Sequence, residues 1–201
     1  MKFLEYENDE KLKSIVKKLP DNEKVTDDIL KLLGNETTKV QKEKDLTNSY
    51  YVFLKDTIYL ADNEKSNNGV SRICLIAHEC KHSIQSKLIQ WLNFIFSNAE
   101  ILLFLVSFIM NIFIKNSMLM YMYLGVLTLS IIFRIILEFD AVFSSTKIAR
   151  KYLLSKIDNN EAEELASIYS KFTKSLLPLF TLSLFGWKII RAILSIVIVL
   201  I

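Results

Sequence analysis

The sequence predicts a mainly α-helical membrane protein with a small α+β cap, and three observations support that fold class. Of the 201 residues, 51% are hydrophobic and the mean hydropathy is +0.28, which exceeds the usual range of soluble domains. Most of the apolar surplus follows residue 88, whereas fifteen of the 25 lysines and arginines precede it. We therefore expect residues 1–70 to form a water-soluble cap and residues 71–201 to form a membrane-embedded region.

The cap begins with two helical patterns and continues with two strand patterns. Helices are predicted at 9–19 and 26–33, where apolar residues recur with helical spacing. Strands are predicted near 37–42 and 50–60, and the second is rich in β-branched and aromatic residues. Residues 62–69 have the composition of a turn or loop, so a small mixed domain is expected here.

Two apolar segments of spanning length follow, at about 98–114 and 118–137. A short turn separates them, so they predict a transmembrane hairpin whose two ends lie on the same side of the bilayer. Ser97 and Glu100 have the spacing of a capping box, which predicts that the first span begins there.

The C-terminal segment, 176–201, is also apolar and long enough to span. Pro178 suits the first turn of a helix, but Lys188 and Arg191 lie near the middle of the segment. The segment therefore either spans inside a helical bundle or lies in the membrane interface, and we favour spanning. The positive-inside rule then places the lysine-rich residues 1–88 in the cytoplasm, so a multi-pass protein of the cell membrane is predicted.

Composition also excludes some classes of function. The net charge of +3 is small and no basic stripe is interleaved with aromatic residues, so we expect no nucleic-acid partner. Cys74 and Cys80 lie six residues apart on one predicted helix, where a disulfide is geometrically poor and a reducing compartment is indicated. Residues 1–18 lack the apolar core of a signal peptide.

The motif that carries chemistry is His78-Glu79-Cys80-Lys81-His82, on a helix predicted at about 70–87. Residues four apart share a helix face, so both imidazoles can reach one Zn²⁺ ion. Glu79 projects from the adjacent position, where it can act as general base towards a zinc-bound water. These are the only two histidines of the chain. The alternative interpretation is a helix that carries two solvated histidines.

A third protein ligand is expected at a catalytic zinc, and the predicted hairpin offers two acids for that position. Glu138 and Asp140 follow the second span and return to the level at which the histidine helix meets the membrane. We favour Glu138 as the ligand and keep Asp140 as the alternative, since the two project in different directions from one helix. The competing interpretation of Glu138 is an ion pair with Arg134, one helical turn earlier.

Two motifs also carry a resemblance to a known family. The matching residues are Ala77-His78-Glu79-x-x-His82-x-x-Gln85 and Glu138-Phe139-Asp140-Ala141. In these motifs the chain resembles the neutral zinc metallopeptidases of bacterial membranes, the YugP-like family, over roughly residues 25–201. The resemblance implies a zincin-type active-site helix, with His78, His82 and Glu138 as zinc ligands and Glu79 as the catalytic residue. Lys81 departs from the family pattern, which usually has glycine there.

The sequence therefore predicts a membrane-bound zinc metallopeptidase, with one Zn²⁺ ion, a peptide or protein substrate and an active site towards the cytoplasm. The alternative is a zinc-binding membrane protein with a structural or regulatory role and no catalysis. We also expect the strand near 57–61 to pair with an extended substrate peptide.

Overall fold

The computed structural model describes residues 6–200, apart from the side chains at 64, 65, 176, 179 and 180. Residues 1–5 of the predicted cap and residue 201 of the predicted third span lie outside the described part. The helices are α1 (Glu10–Lys17), α2 (Asn22–Leu32), α3 (Glu64–Asn68), α4 (Arg72–Ser83), α5 (Lys87–Phe113), α6 (Ser117–Leu154) and α7 (Asn159–Leu200). The strands are β1 (Lys39–Glu43), β2 (Tyr50–Val52) and β3 (Thr57–Ala61). The predicted class, mainly α with a small sheet, is confirmed.

The chain divides into two compact units. The first, the α+β unit, comprises Met1–Gln85 and Phe139–Leu176, and the second, the three-helix unit, comprises Ser86–Glu138 and Leu177–Ile201. The predicted boundary at residue 70 differs from this division, because α4 and the segment Phe139–Leu176 belong with the α+β unit. Helices α6 and α7 each continue without interruption from one unit into the other.

The α+β unit has its own apolar core. Asp9 caps α1 by accepting from the backbone of Lys11 and Leu12, and Asp21 caps α2, which begins at Asn22, four residues before the predicted start at residue 26. The core collects the inward faces of α1, α2 and α4, with β3 and parts of α6 and α7. Its fully buried members with the largest side chains include Tyr152 and Tyr169.

The sheet has the order β1-β3-β2, with β3 parallel to β1 and antiparallel to β2. The single strand predicted at 50–60 is therefore wrong: a short 3-10 turn and Asp56, at φ 46°, reverse the chain between β2 and β3. Every residue of β3 is buried and both of its edges are paired. The expectation that a substrate peptide pairs with residues 57–61 is also wrong, because both edges of β3 are already hydrogen-bonded to neighbouring strands.

The three-helix unit contains segments that are long and apolar enough to cross a membrane. These are Lys87–Phe113, the helix that begins at Ser117, and Thr181–Leu200. In the most apolar stretch of each, at most about a fifth of the residues are buried. Large apolar side chains remain exposed on their outer faces, including Leu102, Phe113 and Trp187. A soluble protein rarely exposes so much apolar surface, so these faces fit contact with lipid.

Two helix boundaries within this unit differ from the prediction. Helix α5 is continuous from Lys87, so Ser97 and Glu100 lie inside it and form no capping box. The Ser97 hydroxyl instead contacts the Ser130 hydroxyl at 3.2 Å. Pro178 lies inside α7 and not in its first turn. Local sequence pattern alone placed both of these boundaries in the prediction.

Candidate metal centre

Helix α4 presents the two histidines from the α+β unit. Ile73, Ala77 and Cys80 form the stripe that packs into the core, whereas His78 and His82 lie one turn apart on a half-buried face. Their Nε2 atoms are 3.1 Å apart. Two imidazole nitrogens bound to one tetrahedral zinc ion would be separated by about 3.3 Å, given Zn–N distances of about 2.0–2.1 Å. The spacing predicted from the motif is therefore present in three dimensions.

Gln85 fixes the orientation of His82. Its Nε2 donates to Asp140 Oδ2 at 2.9 Å, so its Oε1 faces the His82 ring, where Nδ1 lies at 2.8 Å. Because an amide oxygen only accepts, the proton of His82 is on Nδ1 and the lone pair of Nε2 is directed towards His78. A hydrogen bond on the outer nitrogen is what orients a metal-binding histidine and selects its tautomer.

Glu138 completes the group. It is the last α6 residue of the three-helix unit, and the next residue of the same helix, Phe139, belongs to the α+β unit. His78, His82 and Glu138 each offer a ligand atom, and these atoms all lie within 4.8 Å of one another. Glu138 is 5% exposed, and its Oε1 also pairs with Arg134 Nη2 at 2.7 Å. Both interpretations of Glu138 that the sequence allowed are thus compatible with the structure.

Asp140, the alternative ligand, is engaged elsewhere. Besides Gln85, its Oδ2 lies 3.2 Å from Lys81 Nζ, and its Oδ1 accepts from the Ser144 hydroxyl. Asp140 therefore holds the amide that orients His82. The Lys81 side chain is turned towards Asp140 by this ion pair.

Glu79 is half-buried beside the histidines. Its Oε2 accepts a hydrogen bond of 2.8 Å from the backbone N–H of Tyr51 in β2, which is an edge strand of the sheet. The phenol of Tyr51 donates to Asp56 Oδ1 at 2.8 Å, and burial, followed by this hydrogen bond, raises the pKa of Tyr51 above its usual value. The carboxylate predicted as general base is thereby positioned by the backbone of a second element.

The two cysteines lie in the core around α4. Cys74 is 3% exposed, and its sulfur lies 3.6 Å from the Ser145 hydroxyl. Cys80 is fully buried, and burial raises the pKa of both thiols. A buried thiol with a raised pKa is a poor metal ligand at neutral pH. Both cysteines are free, as the sequence predicts.

Two contributors to this site were missed at the level of sequence. Gln85 was given no role, although the residue lies only three positions after His82, just beyond the C-terminal end of α4 at Ser83. Tyr51 acts through its backbone, and no sequence signal could identify it.

No protein-family model, curated protein or solved structure matches this chain. The family resemblance of the two motifs therefore remains a prediction.

Proposed function

We propose that the chain is a membrane-bound zinc metallopeptidase, related to the YugP-like family, with the active site towards the cytoplasm. The observation that supports the proposal is the convergence of His78, His82 and Glu138, whose ligand atoms lie within 4.8 Å of one another. Two imidazoles and one carboxylate form a donor set that Zn²⁺ accepts in catalytic sites, where the fourth position stays open. Hard cations such as Mg²⁺ and Ca²⁺ prefer oxygen ligands throughout, so this set favours zinc over them.

In this proposal each side chain has a defined task. His78, His82 and Glu138 hold the ion, and Gln85 keeps the lone pair of His82 directed at it. A bound zinc ion would polarise the scissile carbonyl and bring the pKa of water to about 7. Glu79 takes the proton of the attacking water and delivers it to the leaving amine. The hydrogen bond from Tyr51 holds one Glu79 oxygen during both transfers.

The competing function is a zinc-binding membrane protein without catalysis, and it shares the three ligands. A metal-free helix is a further competitor, because a 3.1 Å separation also suits a hydrogen bond from His78 Nε2–H to His82 Nε2. Zinc content and turnover separate these three cases.

The test begins with zinc stoichiometry on the purified, detergent-solubilised chain. We expect one zinc per wild-type chain and loss of bound zinc in His78→Ala and Glu138→Ala. Glu36→Ala serves as the matched control, because Glu36 is an exposed carboxylate of the α+β unit. Absence of zinc from the wild type would reject the metal centre and leave the metal-free helix.

Turnover is then measured on quenched-fluorescence peptide mixtures with wild type and Glu79→Gln. We expect the variant to keep its zinc and to lose activity by at least about 10²-fold, the contribution usual for a positioned base. Zinc binding by both proteins, with no peptide cleavage that depends on Glu79, would support the non-catalytic function instead.

A further inference from the structure

Helix α5 turns a polar face into the three-helix unit. Its buried residues are all polar, namely Gln90, Glu100, Ser107 and Asn111. Glu100 is fully buried and lies thirteen residues from either end of the helix, or about 20 Å at 1.5 Å per residue. If α5 crosses a bilayer, this carboxylate lies near the midplane, far from either surface. An acid at that depth requires a partner.

The partners of Glu100 come from the C-terminal segment. Arg191 contacts both carboxylate oxygens, with Nε 2.9 Å from Oε1 and Nη2 2.9 Å from Oε2. Lys188 Nζ lies 3.0 Å from Oε2. The same ammonium donates to the Ser130 hydroxyl at 2.7 Å, so the cluster joins α5, α6 and α7. We call Glu100, Lys188 and Arg191 the ion cluster.

These contacts show how two cations are accommodated in an apolar helix. Lys188 and Arg191 are the residues that left the span at 176–201 undecided in the sequence, since a lysine or arginine at the middle of a span is costly. Long cationic side chains commonly extend to the nearest membrane surface. Here both extend towards Glu100, and their side chains are only 13% and 24% exposed.

We propose that Glu100 keeps the C-terminal segment Thr181–Leu200 across the bilayer. It does so by pairing with the segment inside the membrane and neutralising one of its two positive charges. The ion cluster carries a net charge of +1. Glutamine at position 100 would raise that charge to +2 and leave both cations without a counter-charge. Glutamine at either cation would lower it to zero, so the two kinds of substitution have opposite effects on the electrostatic cost of spanning.

The test measures from which side of the membrane a reagent can label a cysteine placed at the end of the segment. Leu200 is 79% exposed, and Leu200→Cys is introduced in the full chain with both buried native cysteines retained. Ile114→Cys marks the hairpin end of the unit, and Lys174→Cys marks the chain just before the segment; both positions are exposed. A membrane-impermeant maleimide is applied to sealed vesicles of either orientation.

In the otherwise native chain, Leu200→Cys is expected to label from the same face as Ile114→Cys and from the face opposite to Lys174→Cys. Adding Glu100→Gln is expected to move the labelling of position 200 to the Lys174 face, because the segment then lies in the interface. Adding Lys188→Gln or Arg191→Gln is expected to leave it unchanged.

Rescue keeps the test independent of a folding defect in Glu100→Gln. The pair Glu100→Gln/Lys188→Gln restores a net charge of +1, and the triple variant with Arg191→Gln restores neutrality. Both are expected to return position 200 towards the Ile114 face, the triple variant more completely. Lys115→Gln, an exposed cation of the same unit, is the matched control and is expected to change nothing.

Three results would overturn the proposal. One is labelling of position 200 from the Lys174 face in the native background. A second is Glu100→Gln that still labels like the native chain. The third is an equal loss of spanning in Glu100→Gln, Lys188→Gln and Arg191→Gln, because that pattern would assign the cluster to hydrogen-bonded packing and not to charge neutralisation.

Discussion

Replacement of Gln85 by leucine isolates the role of the hydrogen bond that orients His82. Gln85 is 7% exposed, and its amide bridges His82 Nδ1 and Asp140 Oδ2 at 2.8 and 2.9 Å. Leucine keeps approximately the same volume and leaves all three proposed zinc ligands in place. It removes the acceptor for the Nδ1 proton, so the ring of His82 can turn and can move its proton to Nε2, the proposed ligand atom.

The expected magnitude follows from the burial of this amide. Loss of the hydrogen-bond partner of a metal-binding histidine costs about 10–100-fold in metal affinity, or about 1.4–2.7 kcal/mol. Because Gln85 is buried, bulk water cannot replace the missing acceptor, and we expect a loss nearer to the upper value. The zinc dissociation constant is measured by competition with a chromogenic chelator at fixed pH in detergent.

Gln41→Leu is the control for this experiment, since Gln41 is an exposed glutamine on β1 of the same unit. It is expected to bind zinc like the wild type, and His82→Ala sets the largest loss. Thermal unfolding of the zinc-free proteins checks that the α+β unit is intact. Wild-type affinity in Gln85→Leu would refute the reasoning, because it would mean that the amide does not fix the tautomer of His82.

Three further predictions test the α+β unit. The hydrogen bond from Lys156 holds the pKa of Asp28 below its usual value, so the stabilising effect of this ion pair is complete above the unfolded pKa of about 4 and is lost as the pH falls through the lower folded pKa. Asp28→Asn should therefore have a lower melting temperature than the wild type at pH 7. A difference in melting temperature that stays constant down to pH 2 would contradict this. Tyr169→Phe removes a buried 2.8 Å hydrogen bond to the Val70 carbonyl and should lower the free energy of unfolding by about 1–3 kcal/mol in a denaturant titration; an unchanged midpoint would argue against that bond. Burial and the raised pKa of Cys74 should make maleimide labelling far slower in the folded protein than in denaturant, and fast labelling of the folded chain would show that its surroundings open.

Features of the site that depend on local spacing could be predicted from the sequence. An α-helix brings residues four apart to one face, so the motif alone placed His78 and His82 together. The return of Glu138 followed from two spans joined by a short turn, a topology in which both ends must lie on one side. The orienting role of Gln85 depends on Asp140, which is 55 residues away in the chain. No local pattern contains that contact.

The same distinction explains the errors in the fold. Ser97 and Glu100 have the spacing of a capping box, but contacts with Ser130 and the two cations of α7 place them inside a continuous helix. The strand pattern at 50–60 is correct in composition, yet the chain reverses at Asp56, and strand order in a sheet is a long-range property. At Ser97 and Glu100 the buried tertiary contacts prevailed over the local rule.

The contact between Glu138 and Arg134 bears most directly on whether this carboxylate is available to a metal. The ion pair uses Oε1, at 2.7 Å from Arg134 Nη2, whereas an ionised carboxylate has two oxygens and about four acceptor positions. Carboxylates that bind metals are themselves hydrogen-bonded in most sites, and the partner fixes the direction of the ligating oxygen. Arg134 also supplies a positive charge next to a carboxylate that is only 5% exposed. The ion pair that stood as the competing interpretation therefore leaves an oxygen of Glu138 for the proposed coordination, and the pair and the proposed metal centre do not exclude each other.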